Sequence, residues 1–314
     1  MKVKVGYTPV AAYLPMFVGI EHGYYQQLGL DLELVQINLA TDLVPAFGSG
    51  QVDMGGYGID VSLFNAVARG VDMRILAYFG AASPTSSGLS VIVRKDLVDS
   101  GKYKEPKDFK GMTVGVLSAN SSPAYYLERA LGKGGLTLND VTLVTMQFPD
   151  MLAALANKKI DAAVEVQPFV LQADTQGIAK IALRAGEFAP GFPSIVLVAN
   201  PPFLKAQPEA AKRFVLALLQ GQRDAYNALE KGINKGDVFQ VMAKYTTLKD
   251  PKMQEAVANA GGYGNTAPNG QIPLDPLNQF QDFFVRQGTQ PQKIDISKIV
   301  DTSYMDYALS ILGK

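Results

Sequence analysis

"DLVPAFGSGQVDMG" (42–55) has a close counterpart 108 positions later, "DMLAALANKKIDAA" (150–163). Both begin with Asp, a residue that suits a helix N-cap, and continue with apolar residues at helical spacing. Both then pass through a polar, helix-ending stretch to an apolar-Asp pair, Val52-Asp53 and Ile160-Asp161, and enter a short strand, "MGGYG" or "AAVEV". Each copy reads helix, turn, strand.

The match extends upstream. "KVGYTPVAAYLPMFV" (4–18) parallels "TVGVLSANSSPAYYLE" (113–128): a strand, a loop of small residues and Pro, then a helix. "DLELVQI" (31–37) and "VTLVTM" (141–146) add a further strand to each half. Alternation of this kind predicts an α/β protein with parallel sheets covered by helices. Two stretches, "FGAASPTSSGLSVIVR" (79–94) and "FAPGFPSIVLVAN" (188–200), read as crossings between the halves. Two crossings mean that the second half is inserted into the first. The expected division is lobe 1 from 1–85 and 196–314, with 86–195 as the inserted lobe 2. After the second crossing the spacing predicts helices over 208–232, 237–245, 250–262 and 275–288.

Composition narrows the function classes. The chain has 314 residues, enough for two cores. Lys+Arg and Asp+Glu are equal at 29 each, so there is no basic footprint for nucleic acid. No apolar run is long enough to cross a bilayer as a helix. There is no Cys, which removes disulfides and thiolate chemistry and is compatible with an oxidising compartment. No charged-then-apolar signal segment precedes "VKVGYT". The expectation is either a cytoplasmic protein or one whose targeting segment was replaced by a start Met.

In open α/β sheets ligands sit at the carboxyl ends of strands. Five loops qualify: "TPVAAYLP" (8–15, with Tyr13 and Leu14), "NLATD" (38–42, with Thr41 and Asp42), "YGIDVS" (57–62), "SANSSPAYY" (118–126) and "VEVQPF" (164–169). Tyr57, in a glycine cluster after a strand, reads as a ligand contact in preference to buried aromatic packing, with Gly55, Gly56 and Gly58 letting backbone approach the ligand. Tyr13 reads either as a contact or as core. Asp42 and Asp60 read first as helix caps. Ser118, Asn120, Ser121 and Ser122 supply hydroxyls, an amide and a helix N-terminus; the two adjacent serines read equally as caps or contacts. Glu165 ends a strand with no helix evident to cap, and Gln167 and Pro168 follow it. It reads as an acceptor for an amine or NH-rich ring, or as a solvated edge residue. Phe192 and Ser194 sit in the second crossing. None of the five loops contains Lys or Arg.

The catalytic search finds little. A dinucleotide fingerprint through Gly56 and Gly58 needs glycine at 61, which is Val61, and no P-loop is present. His22, the one histidine, reads as a cation at a helix C-terminus. No catalytic, metal or cofactor site is expected.

"P-x-F-V-G-x-E-x-G-Y-Y…G-L-D-x-E-L" (Pro15–Leu34), the "G-x-V-D" element Gly50–Asp53, "LFNAVARG" (63–70) and "ANPPFLKAQPEAAKRFVLALLQG" (199–221) resemble the solute-binding proteins of bacterial ABC importers. The likeness is to the branch serving nitrate, sulfonates, taurine and thiamine-precursor pyrimidines. It implies a two-lobed periplasmic-binding-protein clamshell fold with two chain crossings, closing on a small organic solute and docking on a membrane permease. It implies a non-enzymatic, monomeric, extracytoplasmic protein. By position it points to Tyr13, Thr41, Asp42, Tyr57, Gly58, Ser118, Ser121, Ser122 and the "VEVQPF" loop. That loop departs from the pattern: many relatives carry an aromatic, often Trp, before its acid-Pro-aromatic part, where this chain reads Val166-Gln167-Pro168-Phe169 and has no Trp. The departure counts against sulfonate or taurine. The alternative on the same fold is an enzyme of thiamine-pyrimidine or menaquinone synthesis. The Cys- and His-dependent pyrimidine chemistry is a poor fit to a chain with no Cys and one His.

Overall fold

The computed structural model describes residues 1–37, 40–81, 88–246, 248–259 and 272–313. Of these, 1–81, 192–251 and 272–313 form one compact unit, and 88–191 with 252–259 form the other. In chain order the elements are β1 (Lys2–Tyr7), α1 (Leu14–Glu21), α2 (Tyr24–Gln27), β2 (Asp31–Gln36), α3 (Ala40–Gly48), β3 (Met54–Gly58), α4 (Val61–Ala68) and β4 (Arg74–Ala81). The second unit runs β5 (Leu89–Arg94), α5 (Lys95–Asp99), β6 (Thr113–Val116), α6 (Ser122–Gly132), β7 (Thr142–Thr145), α7 (Phe148–Ala156), β8 (Ala162–Val166), α8 (Phe169–Thr175), β9 (Ala179–Arg184) and α9 (Ala185–Phe188). Then come β10 (Pro193–Ala199), α10 (Pro201–Ala206), α11 (Pro208–Lys231), α12 (Lys235–Tyr245), α13 (Pro251–Asn259), α14 (Leu274–Arg286) and α15 (Ser303–Leu312).

Each unit is built on one five-stranded sheet. The orders are β2-β1-β3-β10-β4 and β7-β6-β8-β5-β9. Position for position they are the same order, as the internal likeness predicts. The expectation of parallel sheets needs correcting, because both sheets are mixed. β1 pairs parallel with β2 and β3, as β6 does with β7 and β8. β10 and β5 are antiparallel to both of their neighbours. In chain order each of these two strands follows a strand of the other sheet, β4 before β5 and β9 before β10, so no βαβ unit within its own sheet leads into it and sets its direction.

The apolar-Asp pairs prove to be register pins. Asp53 Oδ2 accepts from the Lys4 N–H at 2.8 Å, and the Asp53 N–H donates to the Lys4 carbonyl at 2.9 Å. Asp161 Oδ2 accepts from the Thr113 N–H at 2.9 Å, and its N–H donates to the Thr113 carbonyl at 2.8 Å. A carboxylate at the strand entry thus holds the middle parallel pair at one offset and satisfies a backbone donor.

Asp42 and Asp150 are not N-caps. Each is the third residue of its helix, α3 or α7. There the exposed amide ends still favour a carboxylate, without the cap hydrogen bond. Asp60, by contrast, is the N-cap of α4: its Oδ1 accepts from the Ser62 N–H at 2.6 Å. α7 then buries Met151 and Leu155, one turn apart, against Ile92, Ile160, Ala163 and Val170 in the second unit's core. α11 has Pro208 at its first position and Gly232 after its last, at φ 72°, where a side chain would be strained.

Candidate functional site

Tyr57 sits next to last in β3 and has no exposed surface. Its hydroxyl shares a short hydrogen bond with Ser62 Oγ of α4. Burial pushes its phenol well above the ordinary 10.0, so the ring is neutral throughout the physiological range. The neighbouring glycines are explained by protein rather than by a ligand. A Cβ on Gly56 would fall 2.3 Å from the Tyr13 ring, and one on Gly55 would fall 2.8 Å from the Gly6 carbonyl oxygen. For Gly55 and Gly56 the reading that they admit a ligand is therefore corrected: β1 and Tyr13 already fill the space.

Tyr13, at the end of a short 3-10 turn, is buried and donates its hydroxyl to the Gly56 carbonyl at 3.0 Å. Burial raises its phenol to about 12. Its ring lies 5.0 Å from that of Phe79 and 6.3 Å from that of Phe17, which stacks at 4.5 Å on Tyr245. Leu14 is buried beside it at the start of α1. Tyr13 thus packs on the Gly56 side of β3 and Tyr57 points to the other face of the sheet, with both phenol oxygens hydrogen-bonded within the protein. Gly58 is half-buried, and Thr41 and Asp42 are exposed in the first turn of α3. The rest of their loop, Asn38 and Leu39, lies outside the described residues. Asp60 is 7% exposed, and burial raises its carboxyl despite the bond from Ser62. Phe192 is buried edge-on against Phe280, 5.6 Å away, and the Ser194 side chain is not among those described.

In the second unit, Ser121 occupies the N-cap position of α6 without capping it. Its hydroxyl donates to the Ser118 carbonyl at 2.7 Å, while Ser118 Oγ accepts from the Asn120 N–H at 3.2 Å. The loop is folded back on itself, so α6 begins with Ser122 and Pro123 and no side-chain cap. Ser118 and Asn120 are half-buried; Ser121 and Ser122 are buried.

Glu165 is the next-to-last residue of β8 and has no exposed surface. Oε2 accepts from the Val166 N–H at 3.1 Å, and Oε1, also buried, has no partner. Burial, with no compensating charge, raises its carboxyl well above the ordinary 4.5. The solvated-edge reading therefore fails. The expectation that no helix follows is also corrected: α8 begins at Phe169, with Pro168 at its N-cap position. Pro168 offers no side-chain acceptor, and Gln167 Oε1 takes the Leu171 N–H at 3.3 Å instead.

The sequence predicts His22 as a helix-end cation. It does follow α1, but both ring nitrogens are engaged: Nδ1 lies 2.7 Å from Asp224 Oδ2 and Nε2 lies 2.7 Å from Asp237 Oδ2. Tyr24 also donates to Asp224. Burial pulls the imidazole pKa down, but the two aspartates outweigh it and leave a net rise. Sequence reasoning missed Asp224, Asp237, Ser62 and Ser90. The aspartates lie about two hundred positions from His22, beyond any local pattern. Ser90 stands opposite Glu165 only through strand pairing.

Comparison with known proteins supplies the class. Residues 11–231 match the family described as NMT1/THI5 like, and the chain belongs to that family. It is 28% identical over 230 residues to a putative binding protein of Brucella abortus (strain 2308), covering 70% of this chain and 66% of the relative. It is 23% identical over 223 residues to the 4-amino-5-hydroxymethyl-2-methylpyrimidine phosphate synthase of Aspergillus parasiticus, covering 67% of this chain and 61% of the relative. The chain thus spans just under two thirds of the length of these curated relatives. Among solved structures, the periplasmic nitrate-binding protein NrtA from Synechocystis PCC 6803 superposes with a TM-score of 0.81 at 17% identity, covering 99% of this chain and 89% of that one. At that identity the likeness establishes the fold. The chain has the α/β periplasmic-binding-protein fold. Among the described residues, no helix is long and apolar enough to cross a membrane.

Proposed function

We propose that this chain is the extracytoplasmic solute-binding protein of an ABC importer, non-enzymatic, and delivers a small organic solute to a membrane permease. One observation carries the reading. Within a family that includes binding proteins, two sheets of identical order each bring polar groups to the carboxyl ends of their parallel strands. The first unit offers Thr41, Asp42, Gly58 and Asp60, backed by Tyr13, Leu14 and Tyr57. The second offers Ser118, Asn120, Ser121, Ser122, Glu165 and Gln167, with Pro168. Phe192 and Ser194 complete the set.

The arrangement suits binding better than turnover. The single imidazole is held by two carboxylates, which leaves neither ring nitrogen available as a base. With no Lys or Arg in the strand-end loops, affinity comes from hydrogen bonds and shape rather than screened ion pairs. Native mass spectrometry of freshly purified protein is expected to show a retained small molecule, and a thermal-shift screen to find solutes that raise Tm. Retained or added solute converted to product by the purified protein would defeat the reading. Affinity is expected to change by less than about threefold between low and high salt.

A further inference from the structure

We propose that the solute carries an N–H-bearing nitrogen, protonated or part of an amino-substituted ring, and sets it against Glu165 Oε1. The inference rests on the solute-binding reading above and narrows it to a solute class. Its basis is a carboxyl that the protein leaves half satisfied. Glu165 has no exposed surface, one oxygen is occupied by the Val166 N–H, and the other is buried without a partner.

Among the described residues, no ion pair engages Glu165. β6, which pairs with β8, carries no titratable residue. On β5, Ser90 stands opposite Glu165. The one cation of that strand, Arg94, lies at its far end and pairs with Asp96 and with Asp161, at the entry to β8. On α6, which packs on β8, Tyr126 is buried and kept neutral by that burial, and Arg129 donates to the Phe188 carbonyl. On α8, Asp174 is paired with Lys180. No charged group contributes to the Glu165 shift; burial and the Val166 N–H account for it.

The choice of a carboxyl here is informative. A neutral hydrogen-bonding group needs no acid, and the loop chemistry of this protein already supplies serine hydroxyls and amides. What a glutamate adds is a negative charge that becomes affordable once a positive or strongly donating nitrogen arrives. Burial favours the neutral carboxyl in the free protein, and a cationic or strongly donating nitrogen favours the carboxylate in the complex.

The test uses matched probes on the full-length protein: taurine against ethanesulfonate, β-alanine against propionate, and aminopyrimidine against pyrimidine. Calorimetry would be run at about pH 6 and about pH 8, in buffers of differing ionisation enthalpy. In at least one pair the amino member is expected to bind about tenfold or more tightly and to release a proton. Its affinity is expected to rise by up to about tenfold per pH unit. Glu165→Gln is expected to abolish both the preference and the pH dependence while still binding the partner without nitrogen. Proton release by the wild type needs no variant, so the test survives if Glu165→Gln folds poorly. Equal binding within every pair, or affinity that falls as pH rises, overturns the inference and leaves the solute-binding reading standing. Binding of neither member of any pair, with no retained molecule and no solute that raises Tm, removes the reading and the inference together.

Discussion

Tyr57 and Glu165 occupy the same place in the two units, next to last in the third strand of a repeated motif and 108 positions apart. Both are fully buried. The first unit satisfies its polar group internally, through Ser62. The second leaves an oxygen unsatisfied. The same scaffold has therefore been finished in one copy and left open in the other. The lesson is that a repeated backbone does not repeat its chemistry. The pins Asp53 and Asp161 do the same work because strand register is a backbone property. The groups that follow them diverge because side chains at strand ends are free to vary without disturbing that register.

The comparison can be broken most forcefully at the pins. Asp53→Ala is expected to cost about 1–2 kcal/mol, the loss of one charge-assisted bond to a backbone donor. Asp161→Ala is expected to cost more, about 3 kcal/mol, because it also removes a partner of Arg94, whose side chain is 11% exposed. The two units need not unfold together, so amide hydrogen exchange, which reports each unit separately, is the measurement to use. Equal losses would show that Arg94 is held by Asp96 alone.

Gly56→Ala tests whether the glycines of the first unit serve packing. The added methyl meets the Tyr13 ring, and a loss of about 1–3 kcal/mol in denaturant unfolding is expected. Relief by the further change Tyr13→Leu would identify the ring as the obstacle; no relief would point to the backbone.

Next in size are the equivalent side chains themselves. Tyr57→Phe removes one hydrogen bond and is expected to cost about 1 kcal/mol, with no dependence on pH below about 9. Glu165 behaves differently. Its folded pKa is raised above the ordinary 4.5, so its contribution is fully present below that value and is lost as pH rises through the folded pKa. Glu165→Gln is accordingly expected to flatten the second unit's stability profile above about pH 4.5. A profile unchanged by the substitution would show that this carboxyl does not titrate alone.

The smallest effect belongs to His22. Its pKa is raised above 6.5, so the stability it adds is complete below that value and fades as pH climbs through the folded pKa. The loss is confined to the first unit and is expected to be under about 1 kcal/mol for so exposed a cluster. His22→Gln is expected to remove it, as read from Tm against pH. Glu165 and His22 lie in different units, so amide exchange followed unit by unit assigns each pH response to its own group.

Much of the fold was legible in the chain. Local periodicity located the strands β1, β2, β3, β7 and β8, the helix α11 with its Pro208 and Gly232 boundaries, and the cap at Asp60, because these depend on near neighbours. The caps expected at Asp42 and Asp150 lie three residues inside the observed helices, since an Asp at a first-turn position reads much like an Asp at a cap. The direction of β5 and β10 was not legible: a strand's sequence carries no sign of which way its neighbour runs.

By itself, then, the sequence determined that two α/β halves share one plan, that an Asp precedes the third strand of each, and that the strand-end loops carry no cation. Those are facts of composition and spacing. Tertiary structure alone decided that Gly56 makes room for Tyr13, that His22 is held by Asp224 and Asp237, and that Glu165 is left with an unanswered oxygen. Each of these depends on which atoms meet across tens or hundreds of residues, and burial, which raises the carboxyl of Glu165, exists only once the chain has folded around it.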